Sequence, residues 1–164
     1  MKRNGFSLME LVIVLIIIGF SISLVMPSLS RFSKSVELKA TAKKVSGILR
    51  YYRSEAVQKG KVHQVLFDPD LREVIIQLLE STEDKSANKK GEEMVQKNKY
   101  HLPDGIQIKE LKIPSPQYPA DFPAIEFYPN GGSNGGSILL DSQDQRGYRI
   151  KVHFLTGIVE IEGV

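Results

Sequence analysis

A carboxylate stands near the start of the longest apolar run in this chain. Glu10 follows Lys2-Arg3-Asn4-Gly5-Phe6-Ser7-Leu8-Met9, and the run Leu11–Ile18 after it contains no polar residue. An ionised acid costs about 2.5–3.5 kcal/mol at the centre of a bilayer and less near its surface. Such a group needs a partner. Cleavage after Gly5 would create one, the new amino terminus of Phe6, and Glu10 of one copy could then pair with the Phe6 amine of a neighbour. The chemistry implied is charge pairing between subunits. Lys2 and Arg3 precede the run and hold this end on the cytoplasmic side by the positive-inside bias.

The other candidate sites are weak. The glycine run Pro129–Gly136 lacks the Gly-Lys-Ser/Thr ending of a phosphate cradle, and no helical pattern follows it. Between two strands it reads as a turn. His63, His101 and His153 have no metal-ligand spacing and are expected at or partly below the surface. Asp68 and Asp70 bracket a proline, which suits a turn better than an acid pair for hydrolysis. Asp141-Ser142-Gln143-Asp144 lacks the full ligand pattern of a calcium loop and reads as a hairpin turn. There is no cysteine and no Gly-x-Ser-x-Gly elbow. Neither an enzyme nor a bound cofactor or metal is expected.

The elements that carry these residues fall into four regions. Residues 1–5 form a short basic leader, and 6–27 an apolar helix for membrane insertion and assembly. Its greasy part, Phe6–Met26, is 21 residues long, or about 31 Å as a helix, close to one bilayer core. Residues 28–60 read as an amphipathic helix. Leu29, Phe32, Val36, Ala40, Val45, Leu49, Tyr52 and Ala56 recur at mostly three- and four-residue steps, and Gly60 is a natural stop. Residues 61–164 then change to a period of two. Val62–Phe67 and Glu73–Leu79 flank Asp68-Pro69-Asp70-Leu71 as a hairpin. Ser81–Lys99 carries nine charges and reads as a polar loop, and Ile113–Pro123 holds four prolines and reads as irregular. Further strands are expected at Ile106–Leu111, Ile125–Tyr128, Ile138–Leu140, Tyr148–Phe154 and Ile158–Ile161, the last two joined by Leu155-Thr156-Gly157. The fold class is α+β, a long helix whose second half packs on antiparallel sheet.

Composition is ordinary, at 41% hydrophobic and 25% charged. Loss of the leader would leave 20 of the 22 basic residues against 19 acidic ones. A balance this even does not point to a polyanion partner.

The pattern Gly5, Phe6, Ser7, Leu8-Met9, Glu10 behind a basic leader resembles the processing signature of type IV pilins and type II secretion pseudopilins. Pro27 sits where that family often has a proline at the end of its membrane segment. The resemblance implies that a membrane-embedded prepilin peptidase cuts between Gly5 and Phe6 and then methylates the Phe6 amine. An ordinary secretory signal, with Ser28-Leu29-Ser30 as its cleavage site, fits less well because Glu10 interrupts the run and the helix pattern continues past Pro27.

Further along, Ile125-Glu126-Phe127-Tyr128-Pro129-Asn130-Gly131-Gly132-Ser133, then Gly135-Gly136-Ser137 and Gly157-Ile158-Val159-Glu160-Ile161, resemble H-type minor pseudopilins (the GspH/FimT family). The loop motif is Pro129, Gly131 and Ser133. The resemblance implies a subunit of a periplasmic pseudopilus, near its tip, that helps export folded proteins across the outer membrane. It would be a single-pass inner-membrane protein with its globular domain in the periplasm. Its partners would be other minor and major pseudopilins, the peptidase, and in transit the secretion channel or exoproteins. The alternative is a FimT-like minor pilin that binds DNA for uptake, with Arg146, Arg149 and Lys151 as contacts. The near-neutral mature charge argues against nucleic acid. On the pairing reading, Glu10→Leu still inserts into the membrane but assembles poorly, as read by fractionation and by crosslinking between subunits; normal assembly would sink the pairing.

Overall fold

The computed structural model describes residues 7–78, 98–142 and 145–164, with the side chains of these except 23–32, 145 and 146. Gly5, Phe6 and positions 81–97 of the expected polar loop therefore lie outside the described residues. One helix, α1 (Leu8–Lys59), precedes eight strands: β1 (His63–Asp68), β2 (Glu73–Leu78), β3 (Asn98–His101), β4 (Ile106–Lys112), β5 (Ala124–Phe127), β6 (Gly136–Ser142), β7 (Gln145–Val152) and β8 (Val159–Gly163). The class is α+β, as the sequence predicts.

The chain divides into two compact units, Met1–Val36 and Glu37–Val164. In the first, the large apolar side chains between Leu8 and Ile22 are exposed. Among the described residues no helix is long and apolar enough to cross a membrane. The side chains from 23 onward that would complete the apolar stretch to Met26 lie outside them.

In the second unit the helix buries Leu38, Ala42, Val45, Leu49 and Ala56, with Tyr52 partly covered. These follow a three-and-four spacing that keeps one stripe facing inward. The expected stripe is corrected at its start. Val36 and Ala40 are exposed, and Leu38 and Ala42 take the core positions. A two-residue offset turns a helical side chain by roughly 200°, so the two rows cannot both face the sheets. The helix ends at Gly60, which adopts φ 63°, the left-handed conformation that closes helices.

The strands form two four-stranded antiparallel sheets, ordered β3-β2-β1-β5 and β4-β6-β7-β8. Both inner faces join the helix stripe in one core, which includes Val65, Phe67, Ile125 and Phe127 from the first sheet and Ile138, Leu140, Ile150 and Val152 from the second. Burying each such side chain contributes about 1.5–3 kcal/mol. The β1–β2 turn forms where the sequence places it. The Asp68 side chain accepts hydrogen bonds from the amides of Asp70 and Leu71, both at 3.0 Å, as a short acid does in a turn.

Two features depart from expectation. Asn98 and Lys99, assigned to the polar loop, belong to β3 and pair with β2. The irregular segment 113–123 is not a bystander. Ala120 and Phe122 cover a second small core of Leu66, Ile75 and Ala124 on the outer face of the first sheet. All six residues of β1 are buried for that reason: one side faces the helix and the other lies under this flap.

Candidate assembly surface and the loop clasp behind it

The glycine-rich loop after β5 meets the β7–β8 turn at the side chain of Arg53. The Arg53 Nε donates to the carbonyls of Gly131 at 3.1 Å and of Thr156 at 2.9 Å. One turn earlier on the helix, Arg50 donates to the carbonyl of Val159 at 2.9 Å. The helix thus holds both loops by their backbone, through charge-assisted bonds that are stronger than neutral ones. Neither arginine stands out in the sequence as a candidate site. The signal available was their spacing, since Arg50 and Arg53 flank the buried stripe at Leu49 and Tyr52.

The two loops press together so closely that side chains would not fit. A Cβ on Gly157 would lie 2.7 Å from the Gly131 carbonyl oxygen and 2.9 Å from Arg53 Nε, and Gly157 also adopts φ 62°. A Cβ on Gly132 would lie 2.8 Å from the carbonyl oxygen of Leu155. The glycines of the loop motif therefore serve backbone-to-backbone contact, and no phosphate cradle is formed. Pro129 is exposed, while Gly131 and Ser133 are buried. The Ser133 hydroxyl accepts from the amide of Gly135 at 3.0 Å.

Behind this loop, two buried polar side chains organise the edge of the first sheet. Asn134 accepts from the amide of Glu126 at 2.9 Å and donates to the carbonyl of Ala124 at 3.0 Å. Its amide imitates a neighbouring strand, and Ser133 bridges to Phe127 beside it. The carboxylate of Glu126 is wholly buried. It accepts from Gln64 Nε2 (2.9 Å), the amides of Gln117 (2.9 Å) and Tyr118 (3.0 Å), and the Tyr128 hydroxyl (2.9 Å). Burial and this carboxylate together push the Tyr128 hydroxyl pKa well above its usual range. A buried acid demands such donors, and here they staple the proline-rich flap to the sheet. Glu126 was legible only as one acid inside an apolar strand, and its role was missed.

A family model, type II transport protein GspH, matches residues 41–156. That span is well over half of the chain and contains Arg53, Glu126, the glycine loop and the β7–β8 turn as far as Thr156. The chain belongs to the GspH family of type II transport proteins. It is similar to the type II secretion system protein H of Xanthomonas campestris pv. campestris, 26% identical over 158 residues, covering 96% of this chain and 82% of that protein. The fold is that of the minor pseudopilin EpsH of Vibrio cholerae, with a TM-score of 0.55 at 22% identity over 77% of this chain and 97% of that one. It is also that of the type IV minor pilin FimU of Pseudomonas aeruginosa, with a TM-score of 0.53 at 17% identity, covering 80% and 92%.

The outer face of the second sheet carries charges that the DNA alternative relied on. Arg149 bonds Glu110 at 3.1 Å and Lys151 pairs with Glu162 at 2.7 Å. Lys112, with help from Arg149, holds the Glu110 carboxyl below its usual pKa range. Lys109 pairs with Asp141 at 2.6 Å. Paired cations on a balanced face offer little to a polyanion, and the Arg146 side chain lies outside the described residues. Glu10 sits exposed in the first turn of α1, whereas Gly5, Phe6 and the Pro27 side chain lie outside the described residues. Among the described residues no cluster could hold a metal ion.

His63, expected near the surface, is buried at 2% exposure, while His101 and His153 are exposed. Its ring packs 5.7 Å from Tyr52, and Nδ1 lies 3.1 Å from the Lys61 carbonyl oxygen, to which it donates. Burial lowers its pKa, a trend partly opposed by the Lys61 carbonyl and Glu55. The depressed pKa makes the neutral ring a source of stability that is fully present above the unfolded value of about 6.5 and is lost as pH falls below it. Denaturant midpoints measured from pH 8 to pH 5 should show wild type losing stability below about pH 6.5 relative to His63→Gln; parallel curves would contradict this. Gly157→Ala should destabilise by about 1–3 kcal/mol from conformational strain alone, with further loss from the contact with Gly131, read from the same denaturant titrations.

Proposed function

We propose that this GspH-type pseudopilin works near the tip of a periplasmic pseudopilus and helps drive folded proteins through the outer membrane. The observation that carries the reading is the family match across residues 41–156, joined in the same chain to an exposed apolar helix from Leu8 to Ile22. A globular domain alone could act as a soluble adaptor. An apolar helix that continues into it suits a subunit buried first by lipid and then by the helices of its neighbours, since both environments remove the same surface from water. Cleavage between Gly5 and Phe6, methylation of the Phe6 amine, and pairing of Glu10 with a neighbour's amine complete the proposal. Other pseudopilins are the assembly partners, and the inner membrane is the site held before assembly.

Two measurements test it. Mass spectrometry of the protein from membranes should find Phe6 as its first residue, carrying one extra methyl. A strain lacking the protein should accumulate folded exoproteins in the periplasm and recover on complementation. Undiminished secretion, with loss of DNA uptake in its place, would overturn the reading in favour of a type IV pilus.

A further inference from the structure

The glycine loop contains two Asn-Gly pairs, Asn130-Gly131 and Asn134-Gly135, and the turn between β3 and β4 contains an Asp-Gly pair, Asp104-Gly105. Such pairs are chemically labile. The backbone nitrogen after an asparagine can attack the side-chain carbonyl carbon, and a glycine there leaves the approach unhindered and the backbone free to rotate into it. A bond forms from that nitrogen to Cγ, and the Cγ–Nδ2 bond breaks. The side-chain nitrogen leaves as ammonia, taking the proton of the attacking amide. Water then opens the five-membered imide at one carbonyl or the other, giving aspartate or isoaspartate. Nothing is oxidised or reduced.

In the fold both attacking nitrogens are occupied. Gly131 N donates to the Tyr128 carbonyl at 2.9 Å, and Gly135 N donates to the Ser133 hydroxyl at 3.0 Å. The side chains under attack are held as well. Asn130 Oδ1 accepts from Gly132 N at 2.9 Å, and the Asn134 amide spans Glu126 N and the Ala124 carbonyl. Packing opposes rotation of the backbone. A Cβ on Gly135 would lie 3.1 Å from Phe154 N, and the Gly131 carbonyl is pressed between Gly157 and Arg53. The third pair has none of this. Asp104 is exposed, and among the described residues nothing accepts from the Gly105 amide.

The two asparagines differ in what conversion does. Asn130 is bonded through its oxygen, so a carboxylate can take its place. Asn134 is 8% exposed and must also donate to the Ala124 carbonyl at 3.0 Å. A carboxylate has no proton to give, and there it would be a buried charge facing an oxygen. We propose that Asn130 and Asn134 are spontaneous modification sites gated by the loop clasp: both are unreactive while Arg53 holds the loop, both convert when it opens, and conversion at Asn134 keeps the β5 edge from closing again. Loops open locally far more often than cores unfold, so the chemistry records how often this clasp lets go.

The test uses the full chain, purified in detergent and aged in mildly alkaline buffer. Tandem mass spectrometry of its peptides reads aspartate and isoaspartate at each site. Each rate is divided by that of the same site in the chain unfolded in guanidinium. Asp104 should age in the folded protein at close to its unfolded rate, while Asn130 and Asn134 are slowed many-fold. Arg53→Ala should speed Asn130 and Asn134 several-fold and leave Asp104 unchanged. If that variant does not fold, wild type in sub-denaturing urea takes its place, with the same acceleration expected at 130 and 134 alone. Asn134→Asp should lower the denaturant midpoint well below that of Asn130→Asp. Conversion of Asn130 or Asn134 in the folded protein at its unfolded rate would overturn the proposal. So would equal slowing at Asp104, failure of either asparagine to accelerate when the clasp is loosened, or equal midpoints for the two aspartate variants.

Discussion

One stripe of one helix has to satisfy two sheets at once. Leu38, Ala42, Val45, Leu49 and Ala56 form a single row, and the inner faces of both sheets close on it. The strands of either sheet without this row would leave a face of valines, isoleucines and phenylalanines in water. The helix stripe without the sheets would be equally exposed. The glycine loop and the β7–β8 turn reach the helix from opposite sheets, and Arg53 binds one carbonyl of each. The turn bearing Phe154 and Leu155 is thus held from the helix side as well as by its own backbone bonds.

The division of labour between apolar and polar groups is clear in the second unit. Dispersion and burial hold the sheets to the helix, but they leave loops undetermined because apolar contact has no direction. Direction comes from a few polar groups: buried Glu126 with its four donors, buried Asn134 across the β5 edge, and half-buried Arg53 between two carbonyls. Arg53 and Glu126 join segments far apart in sequence, and Asn134 closes the loop that follows its own strand. Losing one partner of such a group leaves the other desolvated and unpaired, which costs about 1–3 kcal/mol.

Much of this was legible in the sequence. The change of period from mostly 3–4 to two near residue 60 placed the helix and the strands, and Asp68-Pro69-Asp70-Leu71 and Leu155-Thr156-Gly157 marked both hairpin turns. The phase of the helix stripe was not legible at Val36 and Ala40, because the helix carries two apolar rows there and only the sheets decide which one is buried. The split into two sheets was hidden too, since β5 returns to β1 across most of the domain and no local pattern records that pairing. Arg53 read as an ordinary charge because its partners are backbone carbonyls, which every sequence contains and none displays; Glu126 did so because its partners, two backbone amides and the side chains of Gln64 and Tyr128, come from separate segments.

The closed edge of β5 has a consequence for how this domain meets other chains. An open strand edge is a template for any other strand. Asn134 occupies the bonding groups of Ala124 and Glu126 with a side chain, and Ser133 ends the ladder at Phe127. A side-chain amide can fill those positions yet offers nothing for a further chain to extend. The first sheet therefore has no free ladder positions at this edge for another strand to extend into a cross-β stack.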